Sequence, residues 1–117
     1  MRYEGANKNA ISFPLGGIGT GSIGLAGDGR LIDWEIFNRP AKGSINRYSH
    51  FAIRAIRGER ITAAVLNGDM TRSYMGQYEK RTFAGFGFGP DGDTMCGFPH
   101  FQNVTFDGEF PMATLTF

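Results

Sequence analysis

The chain has 117 residues, with 12 Lys and Arg against 11 Asp and Glu, a net charge of +1. No overall field therefore draws it to nucleic acid or to an anionic membrane. Apolar residues make up 41% and aromatics 14%, enough for the core of one globular domain and too many for a disordered chain; the single cysteine, Cys96, excludes an internal disulfide.

The first dozen residues hold Arg2, Glu4 and Lys8 and lack the apolar run of a secretory signal. No stretch approaches the roughly 20 apolar residues of a spanning helix, so a cytoplasmic protein is expected. Eight of the 18 glycines fall in residues 1–30 and only two in 31–60. The string Gly19-Thr20-Gly21-Ser22-Ile23-Gly24 is a literal GxGxxG. A dinucleotide site needs those glycines to end a strand and open a helix. Gly27 and Gly29 follow too soon, each costing a helix about 1 kcal/mol. A glycine-rich strand and bend, where backbones approach closely, is the expectation. No lysine follows to make a phosphate-binding GxxxxGK[ST] loop.

Gly21 to Ala26 reads as a strand, and Asp28-Gly29 as a hairpin turn in which glycine tolerates positive φ. The return strand is Arg30 to Phe37. Ile32, Trp34 and Ile36 alternate with Asp33 and Glu35, predicting one apolar and one polar face. Asp33 and Glu35 are the obvious carboxylate pair. Two residues apart on one strand, they point the same way about 6–7 Å apart, a distance that overlaps an inverting glycosidase. Catalytic carboxylates must flank a sugar, however, and neighbours on one strand cannot. The polar face of an amphipathic strand, or ion pairs with the nearby Arg30 and Arg39, is the expected role. Trp34 is read as a core anchor on the apolar face, with stacking on a sugar as the alternative.

Residues 30–60 carry seven basic and three acidic side chains without a cluster, which reads as a solvated surface. His50 to Leu66 reads as a second hairpin turning at Gly58-Glu59. From Asn67 to Gly97 seven glycines predict a long loop with a short strand near Glu79 to Phe83. Phe83, Phe86, Phe88, Phe98 and Phe101 lie in or beside this stretch. They either pack the loop onto its own domain or meet a second one. Cys96, His50 and His100 lack ligand-like spacing, and no metal or cofactor is expected. Asn103-Val104-Thr105 is a glycosylation sequon without a secretory route. Phe101 to Phe106 is a third strand-like stretch, followed by Asp107-Gly108 and a further apolar run from Met112 to Phe117, with Pro111 at the entry of that last strand. Helical periodicity is poor throughout. The class is all-β, an antiparallel and partial β-sandwich. The chain stops at Phe117 inside an alternating apolar run, as a fragment of a longer protein would.

Two long strings carry more information than these short motifs. Ile11-Ser12-Phe13-Pro14-Leu15-Gly16-Gly17-Ile18-Gly19-Thr20-Gly21-Ser22-Ile23-Gly24 and Leu31-Ile32-Asp33-Trp34-Glu35-Ile36-Phe37-Asn38-Arg39-Pro40 resemble the N-terminal domain of glycoside hydrolase family 116. Phe51-Ala52-Ile53-Arg54 and Val104-Thr105-Phe106-Asp107-Gly108-Glu109-Phe110-Pro111 are similar to the same domain. That family includes non-lysosomal glucosylceramidases, bile-acid β-glucosidases and bacterial β-glucosidases and β-xylosidases. The resemblance implies that residues 1–117 are part of a β-sandwich packed on a C-terminal (α/α)6 catalytic domain, itself outside this sequence. It implies a retaining mechanism whose glutamate and aspartate belong to that domain, so no catalytic residue is assigned here. The implied partners are the catalytic domain and, through the parent, a β-linked glycoside. The competing reading is a self-standing β-sandwich module that binds carbohydrate or protein.

Overall fold

The computed structural model describes residues 1–46, 49–69 and 98–117. They form three antiparallel sheets. Strands β2 (Ser12–Leu15), β3 (Ser22–Ala26) and β4 (Leu31–Glu35) make the first in that order. Strand β1 (Arg2–Tyr3) joins β7 (Thr105–Glu109) and β8 (Met112–Thr116) in the second, ordered β1-β7-β8, and β5 (Ala52–Arg57) pairs with β6 (Arg60–Val65) in the third. A 3-10 helix, Gly5–Ala10, links β1 to β2. The all-β, antiparallel class expected from periodicity is the class observed.

The glycine-rich segment folds as close backbone packing demands. Pro14 lies on β2, the edge of its sheet, where its missing N–H breaks no inner ladder. Across from it, a Cβ on Gly24 would collide with the Ser12 hydroxyl. GxGxxG is thus a bend running into the central strand, with no helix after it.

Asp28-Gly29 is the turn predicted. Gly29 has φ +95° and lies against the Leu66 carbonyl. Asp28 and Arg30 form a buried ion pair at 2.8 Å, and the Asp28 carbonyl accepts the Gly68 N–H at 2.8 Å. The first sheet is thereby tied to the chain leaving β6. Lys8 ties the 3-10 helix down by donating from Nζ to the Val104 carbonyl at 2.8 Å.

Packing converges on Phe106, which is 1% exposed. Its ring meets its cross-strand partner Tyr3 at 6.4 Å and Phe13 of the first sheet at 6.1 Å. Leu25, Ala26, Ile32, Val65 and Val104 complete the buried apolar set.

Three expectations need correction. The strand read from Phe101 to Phe106 instead runs Thr105–Glu109 and takes in Asp107-Gly108, and the chain turns at Phe110-Pro111. Gly108 is needed inside the strand because an added Cβ would sit 3.0 Å from the Phe106 ring. The polar alternation on β4 also fails at Asp33, which is 1% exposed. One residue of β3, Ile23, faces two of β4, Asp33 and Trp34, between the pairs Ser22↔Glu35 and Gly24↔Ile32. This bulge puts Asp33 at φ +49° and turns its side chain inward. The third concerns ion pairing: Asp33 and Glu35 pair with Lys42, while Arg30 pairs with Asp28. The strand expected near Glu79 to Phe83 lies outside the described residues.

Candidate functional site

The bulge makes Asp33 the anchor of the loop that follows β4. After Glu35 the chain turns away and comes back, so that Ile45 bridges Ile32 and the Asp33 N–H donates to the Ser44 carbonyl at 2.8 Å. The Ser44 hydroxyl accepts the Trp34 N–H at 2.8 Å. Asp33 Oδ1 accepts the Gly43 N–H at 2.7 Å, and Oδ2 accepts the Ser12 hydroxyl at 2.6 Å. Lys42 Nζ lies 3.6 Å from Asp33 Oδ2 and 3.1 Å from Glu35 Oε2. Glu35 Oε1 takes the Ala41 N–H at 3.2 Å. Both carboxylates reach one ammonium, although the bulge has turned Asp33 inward out of the regular alternation. Through these contacts both carboxylates brace the base of the loop.

The braced loop holds Phe37 and Asn38 in the left-handed region, at φ +56° and +54°. Such conformations cost about 1–3 kcal/mol each and persist only where the surroundings impose them. Phe37 is 86% exposed at the tip. Beside it runs the β2–β3 turn, where Thr20 Oγ1 donates to the Gly17 carbonyl at 2.8 Å and accepts the Gly17 N–H at 3.0 Å. A Cβ on Gly21 would lie 2.8 Å from the Glu35 carbonyl, so glycine alone lets the turn and β4 approach. Between turn and loop lies an open concavity of about 790 Å3.

Trp34 is half-buried, outside the fully buried apolar set, and its Nε1 donates to the Leu31 carbonyl at 3.2 Å. Phe98 stacks on His50 with ring centroids 5.9 Å apart, and Phe101 packs on Phe117 at 5.1 Å. Phe83, Phe86, Phe88 and Cys96 lie outside the described residues.

His100 is held at both ring nitrogens, Nδ1 at 3.1 Å from the Phe98 carbonyl and Nε2 at 2.7 Å from Asp69 Oδ1. Two acceptors suit the doubly protonated ring. The Phe98 carbonyl first, then the Asp69 carboxylate, raises the pKa of His100 above the ordinary histidine value. Because the folded pKa is raised, this contact contributes fully below about pH 6.5 and is lost as pH climbs through the raised value. An NMR titration should find the His100 midpoint above the ordinary histidine value, and Asp69→Asn should lower it. A midpoint insensitive to Asp69 would contradict the pairing.

The geometry defines an all-β antiparallel domain that carries a preformed, loop-built concavity at one end of its first sheet. The family model described as beta-glucosidase 2, glycosyl-hydrolase family 116 N-term, matches residues 12–117. The chain belongs to this family of N-terminal domains. A search of curated proteins found no match. Membership implies a glycoside hydrolase parent with a further, C-terminal domain. Among the described residues, no helix is long and apolar enough to cross a membrane.

Proposed function

We propose that residues 1–117 form the non-catalytic part of an N-terminal β-sandwich in a cytoplasmic, retaining β-glycosidase of the β-glucosidase or glucosylceramidase kind. In this reading the chain supports a C-terminal catalytic domain that supplies both reactive carboxyls. The family match over residues 12–117 carries the proposal. The commitment of Asp33 and Glu35 to the base of a loop supports it. Retaining chemistry requires two carboxyl groups roughly 5 Å apart on opposite sides of the scissile bond. Here both carboxylates share Lys42 on one side of a strand.

The experiment is a comparison of the 117-residue chain with the full-length parent on an aryl β-glucoside. Turnover is expected from the parent alone. Hydrolysis by the 117-residue chain that survives purification and scales with its concentration would overturn the assignment.

A further inference from the structure

We propose that the concavity between the β2–β3 turn and the post-β4 loop is a saccharide subsite. It would take a distal sugar unit of a β-linked gluco-oligosaccharide. The inference rests on the glycosidase reading for the choice of sugar, and on the lining for the chemistry.

Six side chains decide what the concavity can hold: Thr20, Ser22, Glu35, Phe37, Asn38 and Arg39. Asn38 and Arg39 are exposed, and neither side chain holds a hydrogen bond or ion pair among the described residues. They offer an amide and a planar guanidinium with unused donors and acceptors. Glu35 is fixed by the Ala41 N–H and by Lys42, and each of its oxygens keeps a further lone pair. A carboxylate and a guanidinium therefore face the same space. An anionic ligand meets Glu35 and a cationic one meets Arg39, whereas a neutral polyol satisfies both. Hydroxyl groups on adjacent carbons can donate to the carboxylate and accept from the guanidinium at once.

Phe37 supplies the apolar element. One face of a pyranose presents C–H groups that pack on the electron-rich face of an aromatic ring. At 86% exposure the Phe37 ring has no packing role of its own in the fold. It stands there because the loop base, pinned by Asp33 and Glu35, forces two consecutive left-handed residues. A strained loop with an unburied aromatic ring is costly for folding and suited to binding, since little is left to order when ligand arrives. The volume of about 790 Å3 falls within the roughly 300–1,000 Å3 of small-molecule sites.

The test uses the full-length parent and two substrates, an aryl β-glucoside with one sugar and cellotriose with three. The variants are Arg39→Ala and Phe37→Asn; Asn tolerates the left-handed backbone while removing the ring. Both should raise KM for cellotriose about three- to tenfold, the worth of one or two hydrogen bonds or a ring contact. KM for the aryl glucoside and kcat on both substrates should stay unchanged. Equal changes on the two substrates, or none on either, would overturn the inference. So would a lowered melting temperature with unaltered KM, which would assign the concavity to contact between domains. Calorimetry of cellotriose on the same proteins separates the two proposals. If the parent hydrolyses neither substrate, the glycosidase reading fails. Cellotriose binding that depends on Arg39 would still uphold the subsite, and absent binding would dismiss it.

Discussion

Phe106→Ala is expected to destabilise the fold by about 3–5 kcal/mol, the usual cost of removing a fully buried aromatic ring. The ring is 1% exposed and bridges Tyr3 of its own sheet to Phe13 of the neighbouring one. Removing it leaves a cavity that neither rigid sheet can close. Gly108 adds to the effect, because its lack of a side chain is the space the ring fills. Phe106→Leu should cost less, and Phe110→Ala, at an 82% exposed position, should change stability by about 0.5 kcal/mol or less. Urea unfolding of the three variants checks the order. A Phe106→Ala protein as stable as Phe110→Ala would mean that the core lies elsewhere.

The second large effect concerns a buried charge. Asp33→Ala should cost about 3 kcal/mol, since hydrogen bonds to a charged group are worth roughly 1.5–3 kcal/mol each and two protein donors lose their acceptor. Those donors are the Ser12 hydroxyl and the Gly43 N–H. The exposed Lys42 keeps Glu35 as its partner, so no buried cation is stranded. Alanine is also disfavoured at φ +49°. Asp33→Asn preserves the backbone preference and one acceptor, and should cost about half as much. Trp34, the single tryptophan, adjoins the site and reports directly on it. Its fluorescence should show the loop loosening before global unfolding in the alanine variant. Equal stability of Asp33→Ala and wild type would remove the bracing role assigned to this carboxylate.

The elements that could be read from sequence are those with a local cause. Asp28-Gly29 and Gly58-Glu59 turn as their residue types require, and β3, β5 and β6 lie between such signals. What escaped reading depends on partners distant in the chain. β1 is two residues long and exists because it pairs with β7, more than a hundred positions away. The 3-10 helix Gly5–Ala10 has no periodic signature and is held by Lys8 reaching Val104. The bulge at Asp33 looks like ordinary alternation until the register with Ser22 and Gly24 is known.

The candidate site divides in the same way. Asp33, Glu35 and the close-packed glycines were visible as a pair and a bend. Lys42, the partner they share, lies seven residues beyond Glu35 across a turn that no motif announces. Nor does sequence show that Phe37 and Asn38 are left-handed, since neither type requires it. The Asn38-Arg39-Pro40 stretch reads as an ordinary loop. Only the braced base makes it one wall of a concavity.

The β5–β6 hairpin carries Ile53, Ile56 and Ile61 at roughly half exposure, and among the described residues its sheet has only two strands. Arg57 faces Arg60 across the ladder, and Arg54 lies on the same side of the pleat as Ile56. Repulsion between two such ribbons, meeting flank to flank, works against the association that their greasy side chains would favour. Ionic strength is therefore the setting that governs colloidal behaviour: dilute buffer keeps these cationic ribbons apart, and concentrated salt lets them stick.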